Sequence, residues 1–322
     1  MKSFVVTGGA GFIGSCLARR LVAGGGRVLV LDDLSAGFKR NVPSGALFRK
    51  VDLSDDRALA RVRPPAKLDA VFHLAAQSSG EASFDDPRRD VAVNHLATYN
   101  LLDWSARHRC RRFVFASSMS VYGDVPAGSG RVAEGRPPAP ASFYGCNKLA
   151  SEATIRAFSR HAGLGCTILR LFNVYGPGQN MLNMKQGMVS IYMSYLMNGL
   201  PIRVKGSLGR SRDFVYVEDV VDAFLRGAAS PRAAGRTYNV GTGVRTSVRA
   251  LLRELLGAYG LRDWRRWVEV AGRTSGDVSG FASDPSSIRR ELGWRPRWPL
   301  SRGIPQMKLW CDETRAIWKG GR

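Results

Sequence analysis

Two kinds of hydrophobic spacing alternate through the first half of the chain. Short, nearly continuous apolar runs occur at Ser3–Thr7, Arg27–Asp32, Leu47–Asp52, Ala70–Leu74, Arg112–Ser117 and Cys166–Leu171. Runs of that length and continuity suit strands covered on both faces, so they predict a parallel sheet. Between them, Gly14–Ala23, Ala92–Arg107 and Asn147–Ala162 carry the periodicity of helices that would cover such a sheet. Gly24, Gly25 and Gly26 close the first of these, where glycine readily takes the left-handed turn of a helix end.

After Asn173 the rhythm changes. Gly176, Pro177 and Gly178 break the pattern, and Met184–Met197 then reads as a Met- and Tyr-rich helix. A later helix is expected to start near Ser283–Asp284–Pro285 and to stop at Gly293. We therefore expect residues 1–173 to form one domain and 174–322 a smaller one, interleaved with the first because Thr237–Gly241 reads as a further strand of the main sheet. Val125–Ala141, rich in Gly, Pro and Arg, reads as the main irregular loop.

Val5–Val6–Thr7 runs into Gly8–Gly9–Ala10–Gly11–Phe12–Ile13–Gly14, a strand, a glycine-rich turn and the start of a helix. Gly8 and Gly11 would allow a tight turn and close backbone approach to a pyrophosphate, and Gly14 would let the helix pack on its strand. The helix N-terminus, with Phe12 and Ile13, would face the phosphates. Asp32 ends the next strand, followed by Asp33, where a carboxylate accepts hydrogen bonds from ribose hydroxyls. A carboxylate there repels a 2′-phosphate, which favours NAD over NADP even with Lys39 and Arg40 close by. The expected fold is α/β: a Rossmann-type doubly wound parallel sheet with a smaller C-terminal substrate-binding domain.

Tyr144 and Lys148 lie one helical turn apart and would share a face. An ammonium beside a phenol is expected to lower a pKa that is ordinarily about 10, making Tyr144 a general base. Tyr-x-x-x-Lys alone is a common surface pattern. Ser118 gives it context, because it follows the strand Arg112–Ser117 at the carboxyl edge, where open α/β sheets place ligands.

Composition adds limits. With 322 residues and 44% apolar content, the chain can bury a large core and is not disordered. It enters a strand directly and has no run long enough to span a bilayer, so a cytoplasmic protein without membrane contact is expected. Five scattered cysteines without CxxC spacing suggest free thiols, with neither disulfides nor a metal site. The chain carries 48 Lys and Arg against 26 acids, a net charge of +22. The cations are mostly arginines spread from Arg19 to Arg322, which reads as a solvated surface rather than a nucleic-acid face. Their field would draw in a small polyanion.

Together these motifs make the chain resemble the extended short-chain dehydrogenase/reductases of the NAD-dependent epimerase/dehydratase family. The resemblance runs from Thr7–Gly14 and Asp32 through Asp52–Leu53, His73–Ala76, Ser117–Ser118, Val121–Gly123, Tyr144–Lys148 and Arg170–Gly176. It continues through Arg212–Phe214, Tyr238–Gly241 and Glu291–Trp294, nearly the whole length. It implies an enzyme that binds NAD and a nucleotide-diphosphate sugar, with a UDP-sugar the first candidate, and a homodimer. Asp52 and Leu53 would sit beside the adenine, Leu74, Ala75 and Ala76 would line the dinucleotide, and Asn94 would support that pocket. Lys148 would also bind the nicotinamide ribose, and Ser118 the reacting sugar oxygen. Ser78, Asn173, Gln186, Arg212 and Arg273 would contact the substrate, although Arg273 reads equally well as a surface arginine. The stretch from Gln179 to Tyr192 would wrap the base.

One departure bears on the reaction. The family's sugar 4,6-dehydratases carry an acid pair directly after the Ser/Thr, and here those places hold Met119 and Ser120. That favours 4-epimerisation through a transient 4-keto sugar. The alternatives are a nucleotide-uronic-acid decarboxylase or another nucleotide-sugar oxidoreductase of the family. A non-catalytic, basic nucleic-acid binder is a distant third.

Overall fold

A computed structural model of the protein describes residues 1–64, 67–126, 128–272 and 280–319. Its central strands are β1 (Ser3–Thr7), β2 (Arg27–Asp32), β3 (Leu47–Lys50), β4 (Ala70–His73), β5 (Arg112–Ser118), β6 (Gly165–Leu171) and β7 (Arg236–Val240). They form one 7-stranded sheet in the order β7-β6-β5-β4-β1-β2-β3, with every neighbouring pair parallel. The chain moves outward from β1 to β2 and β3, then returns to place β4 on the other side of β1. A switch of that kind opens a crevice beyond the carboxyl ends of the strands.

Side chains alternate between the two faces of each strand, which explains why the inner strands are mostly apolar on both, while the edge strand β3 carries Arg49 and Lys50. Val6, Val30, Phe72, Val114 and Leu169 enter one core; Val5, Leu29, Val71, Phe113 and Ile168 enter the other. The helices that concern the site are α1 (Phe12–Ala23), α2 (Pro87–Val91), α3 (Ala97–Arg107), α4 (Phe143–Ala162), α5 (Met188–Met197) and α6 (Val217–Ala229). α1 and α6 close the first face through Leu17, Leu21, Val220 and Phe224, and α3 and α4 close the second through Leu101, Leu102 and Ile155.

Three helices differ from expectation. Ala92–Arg107 is not one α-helix, because a π turn at Ala92–Leu96 precedes α3. α4 begins at Phe143, where the Ser142 hydroxyl accepts the Gly145 amide as a cap, so Tyr144 lies in its first turn. α5 begins at Met188 rather than Met184, because Gly187 precedes it at a φ of 88°. The helix before Gly293 spans Ser286–Leu292, and that glycine takes the expected left-handed conformation.

Strand pairs of two or three residues stitch the rest of the chain to the sheet's carboxyl edge. They join Asn173–Tyr175 to Phe214–Tyr216, Ser211–Arg212 to Thr246–Ser247, and Arg131–Val132 to Ala282–Ser283. The first core continues into this part through Leu251, Trp294, Ile304 and Met307. Among the described residues, no helix is long and apolar enough to cross a membrane.

Candidate active site

A cavity of about 530 Å³ lies at the switch point, and the glycine turn forms its floor. Gly8 takes a φ of 66°, and a Cβ there would sit 2.7 Å from the Ala75 backbone nitrogen. A Cβ on Gly14 would run into the Gly8 carbonyl oxygen. The absence of a side chain at Gly14 therefore lets α1 close onto the turn that ends β1. Asp32 lines the same cavity, and its carboxylate accepts the Ala10 amide at 3.0 Å and the Leu34 amide at 2.8 Å. A carboxylate has lone pairs beyond those two, which remain for ribose hydroxyls. A bare backbone cradle followed by an acceptor at the next strand end fits a dinucleotide. Arg40 stacks on Phe38 at 4.1 Å and faces Trp318 at 5.5 Å. It is not among the residues that line the cavity.

The sequence-derived cofactor residues gather along this wall. Phe12, Ile13, Asp33, Asp52, Leu53 and the Leu74–Ala75–Ala76 loop all line it. Asn94 does not. It is buried behind the wall, where its Nδ2 donates to the Gln77 carbonyl and to Asp90, each at 2.9 Å. The loop after β4 is fixed from below, because Thr7 Oγ1 accepts the amides of Leu74 and Ala75 at 3.1 Å.

Ser118, Tyr144 and Lys148 reach the same cavity, each less than a tenth exposed. The three come from the end of β5 and the first turns of α4. Lys148 Nζ donates to the Ala116 carbonyl at 3.0 Å, lies 4.7 Å from the Phe115 ring centre, and is 5.8 Å from that of Tyr144. Burial brings the Lys148 ammonium down to about 8, against the opposing charges of Asp90 and then Glu152. Burial also pushes the Tyr144 phenol up to about 12; the Ser118 hydrogen bond pulls it down, and the Asp90 charge pushes it up. Lys148 is not among the groups that move the Tyr144 phenol, so burial rather than the ammonium sets its direction, contrary to the expectation from the sequence.

On the opposite wall, Gln186 Nε2 donates to Ser78 Oγ at 2.7 Å, closing a bridge across the cleft. Asn173 Nδ2 donates to the Asp213 carbonyl at 3.2 Å and to the Met119 sulfur at 3.3 Å. Arg212 is buried, and burial and the neighbouring Arg210 bring its guanidinium down to about 10. Such a cation gains by meeting an anion. Arg273 lies outside the described residues.

Sequence reasoning missed Phe38, Asn41 and Phe172 on the cavity wall, and Gln77 and Asp90 behind it. Asn41 donates to the Ala10 carbonyl at 3.0 Å, tying its loop to the glycine turn. Nothing in a Lys-Arg-Asn run signals that contact.

Comparison with known proteins agrees with this geometry. Residues 4–241 match the model of the NAD dependent epimerase/dehydratase family. The chain is 39% identical over 306 residues to a UDP-glucose 4-epimerase of Mycolicibacterium smegmatis, covering 93% of this chain and 95% of that protein. Its structure resembles a UDP-glucose 4-epimerase of Thermotoga maritima crystallised with UDP-glucose, with a TM-score of 0.91, 32% identity, and coverage of 97% and 99%. It also resembles a Thermus thermophilus UDP-glucose 4-epimerase in complex with NAD, with a TM-score of 0.87, 34% identity, and all of both chains covered. Several dTDP-glucose 4,6-dehydratases are relatives too. The chain belongs to the NAD-dependent epimerase/dehydratase family, and NAD is its cofactor.

Proposed function

We propose that the protein is a nucleotide-sugar 4-epimerase that oxidises a UDP-sugar transiently at C4 and reduces the 4-keto sugar from its other face. One arrangement carries this reading. Ser118, Tyr144 and Lys148 share a cleft with the glycine cradle, while Met119 and Ser120 put no carboxyl where a dehydratase would need one. A 4-epimerase has no use for that pair, because every proton it moves is on the O4 oxygen.

Tyr144 Oη takes the proton of the sugar 4-hydroxyl, and Ser118 Oγ hydrogen-bonds to the same oxygen. When bound, NAD supplies the hydride acceptor at C4 and, through its oxidised ring's positive charge, a field that favours the phenolate. Lys148, fixed on the Ala116 carbonyl, holds a positive charge behind the phenol and a donor toward the nicotinamide ribose. Asp32 and Asp33 take the adenosine ribose, Asp52 and Leu53 the adenine, and Leu74–Ala76 with Phe12 and Ile13 the length of the dinucleotide. Arg212 and Asn173 grip the substrate diphosphate, and the Ser78–Gln186 bridge closes over it. The 4-keto sugar then turns about its phosphate linkage and recovers the Tyr144 proton on O4.

The division into residues 1–173 for the cofactor and 174–322 for the substrate belongs to the same reading, with β7 returning to the first. So does a homodimer, supported by the exposed apolar side chains Phe84, Val91, Leu96, Tyr99 and Phe143 on and beside α2, α3 and α4. Five free cysteines suit a cytoplasmic enzyme, and the partner is a nucleotide sugar rather than a nucleic acid. The test is incubation of the purified protein with UDP-, dTDP- and GDP-sugars, following NADH absorbance and product mass. An epimer of unchanged mass with no NADH accumulation is expected. Loss of carbon dioxide or water, net NADH, or no turnover of any sugar overturns the reading.

A further inference from the structure

We propose that Asp90 is the positioning residue of the Tyr144–Lys148 pair, a buried carboxylate that supplies the pair's negative counter-charge and clamps its helix to the cofactor-side loop. The proposal rests on the epimerase reading for the role of that pair.

The geometry comes first. Asp90, in α2, is 1% exposed. Its Oδ1 accepts from Gln77 Nε2 at 2.8 Å and Asn94 Nδ2 at 2.9 Å, and its Oδ2 from Asn147 Nδ2 at 2.7 Å. Gln77 continues the Leu74–Ala76 loop, Asn94 sits in the π turn, and Asn147 lies in α4 between Tyr144 and Lys148. Three elements that build the cleft thus meet on one carboxylate. All three donors are neutral amides, and among the described residues no Lys, Arg or His lies within ion-pair range of Asp90.

A buried charge is ordinarily paired with a contacting cation. Glu152, also buried and one turn past Lys148, shows the ordinary case. Arg170 meets it with two nitrogens at 2.9 Å and 2.7 Å, Arg156 approaches to 3.3 Å, and Ser117 donates at 2.6 Å. Glu152 therefore has its own cation, and Asp90 does not. Among the described residues, His73 on β4 and His95 in the π turn also pack near the pair; burial brings His73 down to about 3 and moves His95 below its ordinary value. Asp90 is left as the carboxylate that touches no cation and acts on both Tyr144 and Lys148. It acts on both in one direction, raising the Lys148 ammonium and the Tyr144 phenol. It thereby opposes the burial that would otherwise strip Lys148 of its proton.

The sign of the test follows. Removing the charge lowers both groups, so both titrations move to lower pH together. A merely structural contact would reduce activity without moving either. Asp90→Asn replaces one of the two acceptor oxygens with a donor that must face either Asn147 or the Gln77 and Asn94 amides, so Asp90→Ser, which leaves space instead, is the second neutral variant, and Asp90→Glu keeps the charge. Two readouts are taken for each: turnover against pH, and the ultraviolet absorbance of the Tyr144 phenolate as a difference from Tyr144→Phe. Both neutral variants are expected to shift the alkaline limb of turnover and the phenolate titration downward by on the order of one pH unit. Asp90→Glu is expected to return both close to the parent values. Superimposable titrations in the neutral variants, whatever their turnover, overturn the proposal. Absence of epimerase turnover in the parent protein instead overturns the functional reading, and the phenolate titration still decides the role of Asp90.

Discussion

Protonating His73 is a perturbation whose size can be worked out in advance. The ring bridges β1 to α3, with Nδ1 2.8 Å from Thr7 Oγ1 and Nε2 2.9 Å from Thr98 Oγ1. The Thr98 hydroxyl donates to the Asn94 carbonyl at 2.9 Å, so it accepts from Nε2, and Nδ1 accepts from Thr7. A second ring proton would set donor against donor at Thr7, the atom that holds the Leu74 and Ala75 amides. Burial first, and the Lys148 charge second, lower His73 from 6.5 to about 3. Because the folded value lies below the unfolded one, the unfolded chain takes up the proton first as the pH falls. Stability is then undiminished above pH 6.5 and declines toward pH 3. At about 1.4 kcal/mol per pH unit, the loss is about 2 kcal/mol at about pH 5 and about 3 kcal/mol at about pH 4. The assay is urea unfolding of the parent and His73→Gln between about pH 7 and about pH 5, reading the slope of stability rather than its absolute value. The parent is expected to lose about 2 kcal/mol more than the variant over that range, and to release NAD as the Leu74–Ala76 loop loosens. Parallel stability curves would refute the reasoning.

Other consequences are as definite. Gly14→Ala would drive a Cβ into the Gly8 carbonyl, and because that obstacle is backbone, the turn must shift. NAD binding measured by fluorescence quenching should weaken by at least about tenfold, while Gly257→Ala, in a helix and with nothing near its Cβ, should leave it unchanged. Glu152→Gln removes the partner of buried Arg170 and should cost about 3–5 kcal/mol in urea unfolding; a loss below about 1 kcal/mol would show that the pair matters little. Tyr144→Phe should lower turnover by about 10²- to 10⁴-fold with the fold intact by circular dichroism, and near-normal turnover would remove it as the base.

The sheet was legible because parallel strands covered on both faces are apolar over most of their length, as Val5–Val6 and Val28–Leu31 are. Ser3–Thr7 and Arg27–Asp32 could be read to the residue. The glycine turn was legible for a related reason: backbone crowding at Gly8 and Gly14 tolerates no other side chain. Elements set by side-chain contacts were harder to read. The π turn at Ala92–Leu96 looks like ordinary helix until Asn94 is seen turning inward to Asp90 and Gln77. The start of α4 depends on a serine cap hidden behind a proline-rich stretch. Strands of two residues, such as Ser211–Arg212, leave no periodicity to detect. Within the site, residue types were readable but electrostatics were not. A Tyr and a Lys one turn apart suggest a lowered phenol pKa, whereas burial decides the outcome for both. Asp90, in an Asp-Pro-Arg-Arg-Asp run, looks like an exposed helix acid and is in fact almost wholly buried.

The central claim is that Tyr144 and Ser118 serve a reversible oxidation at one sugar carbon whose hydrogen is taken away and given back. It is tested most directly with a UDP-hexose carrying deuterium at C4, incubated with the purified protein in ordinary water and analysed by mass spectrometry and proton NMR. The account predicts a C4 epimer that keeps its deuterium at C4. An epimer whose C4 hydrogen comes from solvent, or a labelled substrate returned unepimerised, would contradict it.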